Sequence, residues 1–274
     1  MKNLLLAAAL MATATGMHAQ KEMAAPAGGK AISDELVGIF FEDINFAADG
    51  GLYADLVQNG SFEYSPTERD GWGPGTCWRF VRPGHSLGRL IPMQADPVHR
   101  NNPNYMHLVI ERAREYYDYN GWIGIGIEND GYNGITLKAG AKYDFSAIMR
   151  NTDARNKQVR VSLLEPAKDP KEAPKILADT IISVVDNDWT KYECTLTAAD
   201  DCKNAKLSIL VLTVGEMDID NIELMPQDTF KGHGLRRDLA ETLAALQPKF
   251  LRFPGGAAYR PRRSRSRRQT ATAW

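Results

Sequence analysis

Two acidic residues directly follow the first apolar run after the N-terminal region, and they are the first candidates for chemistry. The run covers residues 36–41 and predicts a short buried strand, which ends at Glu42 and Asp43 before a loop with Gly50 and Gly51. Carboxylates at the end of a buried strand are unfavourable unless they are paired or face a polar ligand. Ligands of parallel α/β folds bind at the carboxyl ends of strands, so Glu42 is a candidate ligand contact. A solvated acidic loop is the alternative interpretation.

A second apolar run ends in an arginine near the other end of the sequence. Residues 250–251 lead into Arg252, and a Pro-Gly-Gly turn follows at residues 254–256. An arginine near carboxylates favours their ionised forms. Arg252 is therefore either a second ligand contact or a buried ion-pair partner of Glu42 or Asp43.

The residues between these two runs predict mainly antiparallel strands. Nine strand-like runs are separated by turn signals, which is typical of an antiparallel sandwich of about nine strands. In one of them isoleucine alternates with glycine, so the glycine face permits close approach of another chain or ligand. Residues 61–88 are rich in Pro, Gly, Trp and Arg and are predicted to be a loop. The nine runs are 105–111, 122–128, 134–137, 142–150, 158–164, 176–185, 189–196, 206–214 and 217–224.

A helix is predicted directly before the second apolar run. Leu235, Leu239, Leu243 and Leu246 recur at helical spacing, and Pro248 ends the pattern. A helix that leads into a buried strand is one step of a parallel α/β barrel. Residues 52–57, after the first run, are predicted to be a short helix or an extended segment.

The two strand motifs resemble a known enzyme family. Gly38-Ile-Phe-Phe-Glu-Asp-Ile-Asn45 and Phe250-Leu-Arg-Phe-Pro-Gly-Gly256 together resemble the opening of glycoside hydrolase family 51, the α-L-arabinofuranosidases. Residues 51–59 and 61–63 are similar to the form of that family with an extra domain after the first strand. The resemblance implies that Glu42 hydrogen-bonds arabinose hydroxyls and that Arg252 helps to orient the acidic site. It places the catalytic glutamates beyond residue 256, so no catalytic residue is assigned and we expect the chain to be inactive.

The strand-rich block resembles a carbohydrate-binding module of the family 4 type, which is a jelly roll. The likeness rests on residues 143–150, 189–192 and 219–224. The predicted fold class is therefore mostly β, with an antiparallel jelly-roll sandwich inserted after the first strand of a truncated (β/α)8 barrel. Six aromatic residues either stack on a sugar ring or fill the core and pack against the barrel: Trp72, Trp78, Tyr116, Tyr117, Tyr119 and Trp122.

Composition and local signals give the remaining expectations. The net charge of −1 provides no field that would attract nucleic acid or a membrane. The five histidines lack metal-ligand spacing and no phosphate-binding glycine loop occurs, so neither a metal nor a cofactor is predicted. Cys77, Cys194 and Cys202 leave one bridged pair or three small core residues as alternatives.

The predicted organisation begins with an export signal, which indicates a periplasmic or extracellular protein. The expected function is that of the N-terminal portion of an α-L-arabinofuranosidase, with arabinan, arabinoxylan or a related arabinose-containing plant saccharide as its partner. A non-catalytic carbohydrate-binding module is the alternative. The predicted units are a signal peptide (1–19), a leader with the first barrel strand (20–60), the sandwich (61–228), the first barrel helix with the second strand (229–256) and an aberrant arginine-rich tail (257–274).

Overall fold

The described part of the chain is mostly β-structure. A computed structural model describes residues 33–113, 123–169 and 172–253, so the predicted signal peptide and arginine-rich tail lie outside the described residues. The described helices are α1 (Arg237–Ala245) and three 3-10 helices (Asp34–Leu36, Pro83–His85, Phe230–Gly232). The strands are β1 (Ile39–Phe40), β2 (Trp78–Val81), β3 (Leu87–Met93), β4 (Tyr105–Arg112), β5 (Ile125–Asn129), β6 (Ile135–Leu137), β7 (Lys142–Asn151), β8 (Lys157–Glu165), β9 (Lys175–Val184), β10 (Thr190–Thr197), β11 (Cys202–Val211), β12 (Gly215–Pro226) and β13 (Leu251–Arg252).

Eleven of these strands form two antiparallel sheets that share one hydrophobic core. One sheet has the strand order β10-β7-β12-β4-β3. The other has the order β2-β5-β11-β8-β9, and β6 pairs with β11 beside it. Phe145 of the first sheet and Ile127 of the second are both buried in this core. Burying each such side chain stabilises the fold by about 1.5–3 kcal/mol, which explains why the regular alternation of residues 105–224 specifies the sheets.

The predicted sandwich is confirmed at the level of two antiparallel sheets, but two strands were missed. Each of the nine predicted runs overlaps one of the strands β4 to β12. The prediction of a loop over residues 61–88 is wrong, because this segment contains β2 and the start of β3. Both are edge strands of their sheets, where proline is tolerated and the apolar alternation is short. The jelly-roll topology and the carbohydrate-binding-module likeness stay predictions.

The alternation of isoleucine and glycine in β5 places the two residue types on opposite faces, as predicted. Ile125 and Ile127 lie in the core. A Cβ atom built at Gly126 would lie well inside contact distance of the carbonyl oxygen of Ile209 on the paired strand β11. The chain that approaches Gly126 closely is thus the neighbouring strand β11 of the same sheet.

We expect the Gly126→Ala variant to be less stable than the wild-type protein by about 1–3 kcal/mol, because the added methyl group must push β5 away from β11. The measurement is the midpoint of urea unfolding. Gly75→Ala is the matched control, since a Cβ atom there would meet no heavy atom within 4 Å. Equal midpoints for the two variants would contradict the prediction.

The segment from Ala54 to Phe62 connects the parallel strand pair to the sandwich. It contains no helix: residues 54–57 lie against two other parts of the chain, and a turn follows at residues 58–61. The N–H of Ala54 donates to the carbonyl oxygen of Gly234 at 2.8 Å, and the N–H of Leu56 donates to that of Leu224 at 3.0 Å. Phe62 is completely buried in the sandwich core. Of the two predicted conformations for residues 52–57, the structure shows the non-helical one.

The two remaining strands form a separate parallel pair, β1 with β13. The predicted helix is confirmed as α1, although it buries only Ala240. The prediction of a buried strand over residues 36–41 is wrong in length and in burial. Only Ile39–Phe40 is strand, and Leu36, Val37 and Phe40 are exposed. Their exposure follows from the topology, because β13 is the single neighbour of β1.

Candidate functional site

The parallel pair brings the two predicted ligand contacts close together in the fold. Arg252 of β13 lies opposite Phe40 of β1, and the ladder continues where the N–H of Phe41 donates to the carbonyl oxygen of Arg252 at 2.9 Å. Side chains of a strand alternate between its two faces. Phe40 and Arg252 therefore share one face of the pair, and Glu42 follows two residues after Phe40, just beyond the end of β1. The proximity of these residues, which lie more than two hundred positions apart in sequence, comes from this pairing.

Arg252 is not a buried ion-pair partner. Its side chain is exposed, and its guanidinium carbon lies 5.4 Å from the centroid of the Phe40 ring. Within residues 33–253 as described, no ion pair joins Arg252 to Glu42 or Asp43. Asp43 instead accepts a hydrogen bond from the N–H of Ala48 at 2.9 Å, which closes the loop after β1. The ion-pair alternative is therefore wrong, and the charged groups of Glu42 and Arg252 remain accessible.

The loop after β1 reaches an aromatic cluster on the sandwich. Asn45 and Phe46 both have positive φ angles, 52° and 63°, which is a strained conformation for such residues. The ring of Phe46 lies 5.2 Å from that of Tyr132 and 6.4 Å from that of Trp72, measured between centroids. Trp72 in turn stacks on Tyr64 at 4.2 Å. We call Phe46, Tyr64, Trp72 and Tyr132 the aromatic cluster, and it packs the loop of the parallel pair against the sandwich.

The aromatic candidates that the structure describes support the packing interpretation. Trp78 is buried in the core, 5.4 Å from the ring of Phe62, and its indole N–H donates to the carbonyl oxygen of Asn59 at 2.8 Å. Trp72 belongs to the aromatic cluster. The other candidates, Tyr116, Tyr117, Tyr119 and Trp122, lie outside the described residues.

An acidic cavity of about 330 Å³ lies beside the aromatic cluster. Several of its carboxylates already bind the backbone. Asp55 accepts hydrogen bonds from the N–H groups of Val57 and Leu224, both at 3.0 Å. Glu63 accepts hydrogen bonds from the N–H and the side-chain amide of Asn104. These residues therefore hold the connecting segment against the sandwich. The acidic residues that line the cavity are Asp49, Asp55, Glu63, Glu68 and Glu223.

Two carboxyl groups near this cavity have strongly raised pKa values. Burial raises the pKa of Asp55 to about 7, and the nearby charges of Glu223 and Asp49 add to the effect against two backbone hydrogen bonds. Burial likewise raises the pKa of Asp220 to about 7, with a further increase from Glu63. Neither residue is among the predicted site residues, although Asp55 lies in residues 51–59 and Asp220 in residues 219–224, which carry the two resemblances.

A metal site, a disulfide and a membrane-spanning helix are not found among the described residues. No group of three or more His, Cys, Asp or Glu side chains in the described ranges could hold a metal ion. The three cysteines are free, with Cys202 buried and the other two half-buried, so the alternative of a bridged pair is not found. No helix in the part of the chain that the structure describes is long and apolar enough to cross a membrane. The accessible pair of Glu42 and Arg252 is left as the ligand-binding candidate.

Comparisons with known proteins point to one group of enzymes. No family model matches the chain. The chain is 37% identical over 262 residues to an extracellular exo-α-L-arabinofuranosidase of Streptomyces chartreusis, which covers 92% of this chain and 28% of that protein. It is 32% identical over 232 residues to α-L-arabinofuranosidase 1 of Arabidopsis thaliana, with 84% and 32% covered. A solved structure of the arabinose-bound MgGH51 α-L-arabinofuranosidase matches with a TM-score of 0.64 at 25% identity, over 80% of this chain and 34% of that one.

These matches show that the chain is similar to α-L-arabinofuranosidases, which are glycoside hydrolases. Its homologues are α-L-arabinofuranosidases of the family 51 type, and the resemblance predicted from the sequence is confirmed. The chain spans about a third of the length of these relatives or less.

Proposed function

We propose that the chain is the N-terminal portion of an exported α-L-arabinofuranosidase that removes arabinofuranosyl side chains from arabinan or arabinoxylan. Glu42 accepts hydrogen bonds from the arabinose hydroxyls, and Arg252 orients the acidic site beside it. The observation that carries this proposal is the parallel pairing of β1 with β13, in which Arg252 lies opposite Phe40, two residues before Glu42. The homologous arabinofuranosidases and the word extracellular in the name of one of them support it.

The same proposal includes a (β/α)8 barrel of which this chain supplies two strands. Such a barrel needs about 250 residues for its eight units, whereas only β1, α1 and β13 of this kind are described. Retaining hydrolysis of a glycoside requires two carboxyl groups about 5 Å apart, one as nucleophile and one as acid/base. The catalytic pair expected from the family belongs to later strands. We therefore propose that this chain binds the sugar weakly and does not cleave it.

Purified chain should release no detectable chromophore from a 4-nitrophenyl α-L-arabinofuranoside. The physical reason is that Glu42 and Arg252 supply contacts to the sugar but no nucleophile opposite an acid. The measurement is the rate of 4-nitrophenol release, with the Streptomyces chartreusis enzyme as the positive control under the same conditions. Turnover that co-elutes with the chain on a second column would show that the proposed inactivity is wrong.

A second candidate function is a carbohydrate-binding module without catalysis. It is favoured by the sandwich itself, whose two sheets enclose one continuous core independently of the parallel pair. Affinity electrophoresis in gels with arabinan or arabinoxylan separates the two candidates. Retardation that persists in the Glu42→Gln and Arg252→Gln variants favours the module, whereas retardation that depends on those residues favours the arabinofuranosidase portion.

A further inference from the structure

A cavity of about 860 Å³ lies between the sandwich and α1, and neither Glu42 nor Arg252 lines it. One wall consists of β6, the turn after it and the start of β7. The other wall consists of residues 50–56 and the first turn of α1. Binding sites for small molecules have volumes of about 300–1,000 Å³ and often lie between structural units. We call this cavity the interface cleft.

The interface cleft continues into the acidic cavity beside the aromatic cluster. Both spaces are lined by Tyr53, Asp55 and Tyr132, so they adjoin at these three residues. Tyr53 is 36% exposed and Tyr132 is half-buried, so both contribute surface at the junction. We call the two spaces together the groove. Its length suits a chain of linked units better than a single small molecule.

Backbone hydrogen bonds join the walls of the groove to each other and to the sandwich. The N–H of Arg236 donates to the carbonyl oxygen of Leu52 at 2.9 Å, which fixes the start of α1 against residues 50–56. The N–H of Gln227 donates to the carbonyl oxygen of Lys142 at 3.0 Å, which holds the end of β12 against β7. Because the walls are already fixed, a ligand binds without the entropy loss of ordering them.

The charges of the groove indicate a neutral, polar ligand. The interface cleft is lined by two lysines, two arginines, three aspartates and one glutamate, so its basic and acidic groups balance. The charged residues of the acidic cavity are all acidic, so a polyanion is not attracted. An apolar ligand such as a lipid chain would remove water from these charges without replacing its hydrogen bonds.

A saccharide satisfies these requirements. Its hydroxyl groups both donate and accept hydrogen bonds, whereas lysine only donates and a carboxylate only accepts. Lys138 and Glu241 are exposed on opposite walls of the interface cleft, and among the described residues neither takes part in an ion pair. The rings of Tyr53 and Tyr132 offer apolar faces to the C–H groups of sugar rings.

We propose that the groove binds the main chain of a neutral plant polysaccharide over several consecutive sugar residues. Lys138 and Glu241 hydrogen-bond hydroxyl groups from opposite walls, and Tyr53 and Tyr132 pack against the sugar rings between them. The inference rests on the proposed function for its choice of polysaccharide, an arabinan or a xylan. It deepens the second candidate function, because it gives the sandwich a sugar-binding site outside the parallel pair.

The test is isothermal titration calorimetry of the full chain with two unbranched hexasaccharides, β-1,4-linked xylohexaose and α-1,5-linked arabinohexaose. At least one of them should bind, and the corresponding disaccharide should bind at least about ten-fold more weakly. The double variant Lys138→Ala, Glu241→Ala should weaken binding of the hexasaccharide at least about ten-fold, because it removes two charge-assisted hydrogen bonds. The matched control Lys168→Ala, Glu172→Ala removes the same residue types from the connection between β8 and β9 and should bind as the wild-type protein does.

A third variant tests the groove without removing a charge. Thr136 is exposed on β6 and lines the interface cleft, so Thr136→Arg should obstruct it and weaken binding to a similar extent. No binding of either hexasaccharide, or equal affinities for the groove variants and the control, would overturn the groove.

The Glu42→Gln variant distinguishes the groove from the contacts of the proposed function. It should bind the hexasaccharide with wild-type affinity. Binding that Glu42→Gln abolishes and the groove variants leave unchanged would overturn the groove and support the role proposed for Glu42. Release of 4-nitrophenol by the purified chain would contradict the proposed inactivity and leave the groove standing.

Discussion

The Asp218→Ala variant is expected to lose about 3–5 kcal/mol of unfolding free energy, because it leaves two partly buried partners without their shared buried carboxylate. Asp218 lies on β12 directly between His107 of β4 and Arg150 of β7 in the strand register. Its two oxygens lie 2.7 Å from the Nδ1 of His107 and 2.8 Å from the Nε of Arg150. The side chain of Asp218 is only 2% exposed, so water cannot replace either contact.

Asp96→Ala is the matched control for this prediction. Asp96 also binds the guanidinium group of Arg150, but its side chain is 75% exposed. Exposed ion pairs contribute about 0–1 kcal/mol, because solvent screens them and the side chains lose entropy. Arg150 also stacks on the Trp189 ring at 4.4 Å, a contact that both variants keep. Urea unfolding of the two variants measures the difference, and equal losses would mean that burial does not determine the strength of this network.

The sandwich was largely predictable from the sequence, because its signal is local and repeated. Buried residues in strands such as β7 and β11 must recur in a pattern that matches the pleat, and turn residues mark the ends. The edge strands β2 and β3 were missed because they are flanked by proline and glycine and bury fewer apolar residues. The alternation of apolar and polar residues that identifies a strand is therefore weak in the edge strands of a sheet.

The parallel pair shows a different limit of prediction from sequence. The proximity of Glu42 and Arg252 was predictable because both strand motifs resemble one family, and the pairing of β1 with β13 agrees with it. The burial of residues 36–41 was predicted from their apolar character alone, and it is absent because burial requires neighbours that a local pattern cannot supply. The same reasoning explains why the sequence could not distinguish a ligand contact from an ion pair at Arg252.

The buried polar network could not be read from the sequence at all. Asp218, Asp220 and Asp55 are ordinary acidic residues in a chain with 34 of them. Their burial depends on which strands lie side by side, and no residue near them in sequence indicates it. The carboxyl groups of Asp55 and Asp220 contribute to the pH dependence of the stability of the protein.

The free energy of unfolding is expected to fall as the pH rises from about 4 to about 7. Asp55 and Asp220 have folded-state pKa values of about 7, well above the unfolded value of 3.8. The folded state therefore binds more protons than the unfolded state in this window, so stability decreases with increasing pH. A shift of about three pH units corresponds to at most about 4 kcal/mol for each group.

At lower pH the opposite trend takes over. Burial acts to raise the pKa of Asp153, but hydrogen bonds from the Lys157 ammonium group and from the N–H groups of Arg155 and Glu216 outweigh it and lower the pKa. The stabilising contribution of Asp153 is present above the unfolded pKa and is lost as the pH falls through the lowered folded value. These three groups together should therefore make the stability greatest near pH 4.

The Asp55→Asn variant separates this mechanism from a general effect of charge. Its amide oxygen can still accept the hydrogen bonds from Val57 and Leu224, but it needs no proton to be neutral. The variant should match the wild-type protein at about pH 3, below the unfolded pKa of 3.8, and exceed it at pH 8, as measured by urea midpoints across the range. Asp188→Asn, on an exposed turn between β9 and β10, is the control and should follow the wild-type slope at every pH. A wild-type slope that survives unchanged in Asp55→Asn would show that the folded protein does not raise the pKa of this carboxyl group.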